Sequence, residues 1–170
     1  MVLTKSELIA SLQNEVRILL HLCTKIDRRE LDYRPTPGQR STLDLLHYLT
    51  VMGPALIRAA KAGAFDGPAF GAEERAAQAL DFDQTIQALA SHSDTYAALL
   101  SDIPDDDFRE TITMFGRSTT RGAFIVNLVL GGCAAYRTQL FLYLKACGRE
   151  ELGTINLWGG RDAPAAAAKG

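Results

Sequence analysis

GGCAAYRTQLFLYLKACG (Gly131–Gly148) joins two adjacent glycines, a cysteine, a Tyr–Arg pair and a glutamine to an apolar run. Its spacing predicts the end of a long last helix that starts near Ser118, where Ser118, Thr119 and Thr120 offer caps. Ile125, Leu128, Val129, Gly132, Tyr136, Leu140 and Tyr143 fall along one side of that helix. Gly148 closes it, with Lys145 in the last turn at the negative end of the dipole. Inside a helix a glycine costs about 1 kcal/mol relative to alanine, so Gly131 and Gly132 together cost roughly 2 kcal/mol. Such a cost is tolerated where something approaches the backbone closely, either a neighbouring helix or a ligand.

A chain of 170 residues, 47% hydrophobic and 22% charged, has the size and composition of one globular domain with a sizeable core. Its net charge of -2 lacks the basic excess expected of a nucleic-acid binder. No apolar run reads as long enough to span a bilayer, and the N-terminus MVLTKSELIASLQ lacks the apolar core of a signal peptide. Three widely spaced cysteines do not form a disulfide framework, so the expected compartment is the cytoplasm.

Upstream, Thr4 or Ser6 can cap a first helix, with Glu7 in its first turn. Leu8, Leu12, Val16, Leu19, Cys23 and Ile26 form its buried stripe; His21 lies off that stripe, on the surface. Asp27 to Arg40 reads as a loop stopped by Pro35, Pro37 and Gly38. Ser41 or Thr42 caps a second helix with an inner face of Leu43, Leu46, His47, Thr50 and Ile57. Pro54 lies inside this helix and removes the amide that would bond the Thr50 carbonyl. A core-facing His47 one turn before a freed carbonyl suggests a polar pocket, or a core histidine satisfied by a neighbour. Gly63 to Glu74 reads as a glycine-rich break with Phe65 and Phe70 folded over one end of the domain. Asp81 or Asp83 caps a third helix from about Asp83 to Ser101, with His92 on its solvated flank. The acidic run Asp105 to Asp107 reads as solvated charge, and Phe108 to Met114 as an extended segment or hairpin edge.

Four amphipathic helices with a longer connection before the last predict an all-α antiparallel four-helix bundle over residues 1–153. A tail over 154–170 follows, carrying Trp158 and ending in low-complexity DAPAAAAKG.

Three stretches resemble the DinB-like superfamily of bacterial four-helix bundles, of metal-dependent hydrolase and thiol-transferase type. They are LDYRPTPGQRSTLDLLHYL at the second helix, the Gly116–Thr120 helix start, and YRTQLFLYLKACG, which is similar to the family's H-R-x-Q-L-x-x-Y-L-x-x-x-G. The resemblance implies a site of three histidines, one on the second helix and two at i and i+4 on the last. That spacing lets one helix face grip a single ion. His47 matches the first ligand, but Gly132 and Tyr136 stand where the other two belong. Glycine has no donor, and a neutral phenol is a poor zinc ligand. Cys133 adjoins the lost position but is turned by about 100° from it. No cofactor is therefore expected. The alternative is a divalent Zn or Ni ion held by His47 with Cys133 or Tyr136.

The expected arrangement is a cluster of His47, Gly132 and Tyr136, with Tyr136 hydrogen-bonded to His47 across the two helices. The candidate ligand-binding residues are His47, Cys133, Tyr136, Arg137 and Gln139. Arg137 suits a carboxylate, of a ligand or of another helix or the tail. Two functional classes follow. One is a non-catalytic member that binds a small ligand; the other is an enzyme related to thiol-dependent transferases or isomerases, with His47 as base or ligand and Tyr136 as acid. A homodimer is expected from the resemblance and from the apolar cluster Ile155, Leu157 and Trp158, which must dock on its own domain or on a partner. Neither nucleic acid nor membrane is an expected partner.

Overall fold

Helix starts form where side chains can satisfy free amides. The computed structural model describes residues 3–164. Helix α1 (Lys5–Cys23) starts on Thr4, whose hydroxyl accepts from the Glu7 amide while the Glu7 carboxylate accepts from the Thr4 amide at 2.7 Å. Ser41 and Asp44 form the same reciprocal box at α2 (Thr42–Ala62), as do Asp81 and Gln84 at α4 (Phe82–Ala90). Each such cap contributes about 1 kcal/mol.

Three expectations are corrected. The break expected over Gly63 to Glu74 holds a helix, α3 (Gly67–Gln78). Asp66 caps it and Pro68 sits in its first turn, so the proline that reads as a breaker is part of the start. The expected third helix bends at Ser91 into α4 and α5 (His92–Ser101). The start of the expected last helix is instead a strand: β1 (Thr111–Met114) pairs antiparallel with β2 (Arg117–Thr120), with Ile112 opposite Thr119. Phe115 and Gly116 turn the hairpin with φ of 52° and 73°, the left-handed pair that a two-residue turn requires. The chain is thus mostly helical with one two-stranded sheet.

The last helical run comprises α6 (Arg121–Phe124), a π-helical segment (Ile125–Leu130) and α7 (Gly131–Ala146). A π turn takes up an extra residue and shifts every later side chain around the axis. The buried residues of the run are Phe124, Ile125, Val129, Arg137, Leu140, Tyr143 and Leu144, with Arg121 at its start, while Leu128 is exposed. By length and composition this run alone, among the described residues, could cross a bilayer. Here it packs on α1 and α2 and carries a buried ion pair. Helix α2 also packs against α3, α4 and α5, and α1 against α4 and α5.

The tail forms α8 (Thr154–Gly159), which lies on α1 and α7. Asn156 is buried there, whereas Trp158 is 67% exposed and lends only a ring face to Arg137 at 5.4 Å. The low-complexity end expected after Pro164 lies outside the described residues.

Candidate functional site

His47 is set by the chain that leaves α3. Its Nε2 lies 3.0 Å from the carbonyl of Leu80, at the exit of α3. A carbonyl only accepts, so Nε2 carries the proton and Nδ1 of the neutral ring holds a lone pair. His47 is 6% exposed, and its Nδ1 is the one buried side-chain nitrogen or oxygen among the described residues without a hydrogen-bond partner. The expectation of a satisfied core histidine is met at one nitrogen and fails at the other.

The same side chain lines a cleft of about 330 Å³, within the range of small-ligand sites. Its walls come from three segments: the loop with Arg34 and Arg40, the first turns of α2 with Asp44, His47 and Tyr48, and α3 with Glu74 and Gln78. Arg40 lays its guanidinium over the Tyr48 ring at 3.8 Å. Its backbone is held from below by Gln139 Nε2, which donates to Tyr143 Oη at 2.6 Å, and by Tyr143 Oη, which donates to the Arg40 carbonyl at 3.0 Å. Burial, and then Tyr136, push the Tyr48 phenol up to about 12, so it stays protonated.

The sequence profile of the DinB superfamily matches residues 12–131. The chain belongs to the DinB superfamily. A DinB-like protein from Bacillus subtilis, known from its crystal structure, superposes with a TM-score of 0.66 at 18% identity. The match covers 86% of this chain and 94% of that one, a likeness that shows the fold. No curated protein matches the chain. The matched profile includes His47 and stops just before Gly132.

At the two positions of the last helix where the resemblance implies histidines, the chain carries Gly132 and Tyr136. Gly132 faces Met52 of α2 so closely that a Cβ would meet Met52 Cε at 3.2 Å. Its glycine serves helix packing, one of the two uses that the sequence left open. Tyr136 packs edge-on against Tyr48, with ring centroids 5.1 Å apart. The expected Tyr136–His47 hydrogen bond is not formed: Tyr136 lies against Tyr48, His47 Nε2 pairs with Leu80, and Nδ1 has no partner among the described residues. Cys133 turns to the opposite side, where its Sγ lies 3.8 Å from Tyr96 Oη. Burial pushes its thiol up to about 11, so it is not a thiolate at neutral pH. Among the described residues no three His, Cys, Asp or Glu side chains stand together to hold an ion.

Arg137 and Gln139 are used inside the fold. Arg137 is 2% exposed, with Nε 2.6 Å from Glu15 of α1 and Nη1 bonded to the Leu157 carbonyl of the tail. It takes both of the structural partners offered to it, another helix and the tail. Gln139 reaches the cleft only through Tyr143. His21 is half-buried and bonds Asn156 Nδ2 at 3.1 Å, tying α1 to the tail.

His92 is the correction with the clearest cause. It is buried, not solvated, and its Nε2 lies 3.0 Å from the Thr50 carbonyl, the one that Pro54 leaves free. Burial pulls its pKa down to about 4. Next to the proline, Gly53 leaves room for Tyr96: a Cβ there would lie 2.0 Å from Tyr96 Oη. Of the cleft residues, Arg34, Arg40, Asp44, Tyr48, Glu74 and Gln78 escape sequence reasoning. The available signal was Asp66–Gly67–Pro68 followed by AEERAAQ, a cap, an early proline and helix formers.

Proposed function

We propose that this DinB superfamily member is a cytoplasmic small-ligand-binding protein without a resident metal, built on an antiparallel four-helix bundle. Its site is the cleft between the Arg34–Arg40 loop, α2 and α3. The observation that supports this reading is the lone pair on His47 Nδ1, buried in the cleft wall with no donor. A buried acceptor left unpaired costs about 1–3 kcal/mol, and a ligand that brings a donor offsets that cost. The other candidate ligands face Met52, Tyr48 and Tyr96, which argues against a second metal-binding group beside His47. An enzyme related to thiol-dependent transferases is the alternative; it needs a second reactive group in this cleft, and Tyr136 is not hydrogen-bonded to His47 to serve as one.

A fragment screen by thermal shift on the wild-type chain and on His47→Ala tests the reading, alongside zinc and nickel titrations. Fragments should raise the melting temperature of the wild type and lose that effect in the variant. A ligand present at one hundred times its Kd adds about 2.7 kcal/mol, which such a shift resolves. Protection indifferent to His47, or one metal ion bound per chain and lost with His47, overturns it. The homodimer belongs to the same reading. Leu128 and Leu142 of the last helical run are 41% and 59% exposed, and sedimentation velocity on the full chain, with a monomer as the adverse result, decides it.

A further inference from the structure

We infer that the cleft takes a small zwitterion, a molecule with a carboxylate and an ammonium a few bonds apart, of the α-amino acid class. This rests on the cleft proposed above as the binding site. Four charged side chains line it: Arg34, Arg40, Asp44 and Glu74. Two of them answer each other. Asp44 accepts from the Ser41 amide at 3.2 Å and stands 3.4 Å from Arg34 Nη2. Arg40 and Glu74 are left, one charge of each sign, and among the described residues neither has an ion-pair partner.

The two remaining charges stand on different walls and act on the same phenol. Arg40 lies over Tyr48, favouring its ionisation, and Glu74 opposes it. Stacking occupies only the face of the Arg40 guanidinium and leaves its in-plane N–H groups for a two-pronged grip on a carboxylate. The Gln139–Tyr143 pair fixes the backbone from which that side chain extends. On the other side, Glu74 supplies acceptors only. An ammonium has three donors and no acceptor, which suits that carboxylate. A lone carboxylate would satisfy Arg40 but give Glu74 no counter-charge. A lone amine would leave Arg40 unanswered. A zwitterion answers both charges and leaves the cleft electrically neutral.

Isothermal titration calorimetry on the full chain tests this with the common L-α-amino acids. Each binder is then measured again as its deaminated acid and as its decarboxylated amine. At least one amino acid should bind, and removal of either charge should weaken it by about tenfold or more, the scale of one charge-assisted hydrogen bond. Arg40→Gln and Glu74→Gln alter solvent-accessible side chains and should each cause a similar loss. Glu74→Gln should leave the weak binding of the deaminated acid unchanged. A deaminated acid that binds as tightly as its parent, with the binding lost in Arg40→Gln, refutes the zwitterion and keeps the cleft as a site. So does a failure of every amino acid to bind while other fragments still protect through His47. If neither experiment finds a ligand, both readings fall.

Discussion

Replacing Pro54 by alanine should make His92 partly dispensable. In the native fold the Thr50 carbonyl has no helical donor, because residue 54 is proline, and the His92 Nε2–H takes that place at 3.0 Å. His92→Leu keeps most of the side-chain volume but leaves a buried carbonyl without a donor, at a cost of about 1–3 kcal/mol. In a Pro54→Ala background the new amide can donate to Thr50 along the helix, so the same His92→Leu change should lose only its packing share. The two substitutions should therefore couple by about 1 kcal/mol or more, well above the 0.3–0.5 kcal/mol scatter of independent sites. Urea unfolding of the wild type, both single variants and the double variant measures the cycle, provided the m-values agree. Strict additivity would show that the imidazole does not stand in for the missing amide, and the account of α2 would fail.

Two further outcomes follow from the same region. Gly53→Ala should destabilise the chain by about 1–3 kcal/mol or more, because its Cβ has no room beside Tyr96, which is itself 1% exposed. Adding Tyr96→Phe should recover part of the loss by removing the atom at 2.0 Å while leaving Cζ at 2.9 Å; a wild-type melting temperature for Gly53→Ala alone refutes the clash. Stability should also fall as the pH drops from the ordinary histidine value of 6.5 towards 4, since the unfolded chain takes up a proton that folded His92 refuses. The His92 share is complete below its folded pKa of about 4 and amounts to about 3 kcal/mol, so His92→Leu should flatten the profile by that amount. Parallel profiles for the two proteins, from urea titrations at several pH values, would contradict it.

Much of the frame was legible in the sequence because it depends on residues within one turn of each other. Thr4 with Glu7, Ser41 with Asp44, and Asp81 with Gln84 lie three residues apart, so their caps need nothing from the rest of the chain. The stripe of α1 obeys the helical period for the same reason, and the freed Thr50 carbonyl follows from one proline. Which histidine would reach that carbonyl was not legible: His92 is 42 residues away, brought there by the packing of α5 on α2. Most of the predicted face of the last helical run is buried, Ile125, Val129, Leu140 and Tyr143 among it, but Leu128 is exposed and Arg137, off that face, is buried. The cleft lay furthest from view. Two of its walls, the Arg34–Arg40 loop and the start of α2, follow each other in the chain, but the third, α3, lies further on and begins with a proline that also reads as a break. Local chemistry decided where the helices begin; long-range packing alone decided which side chains were left facing one another across the gap.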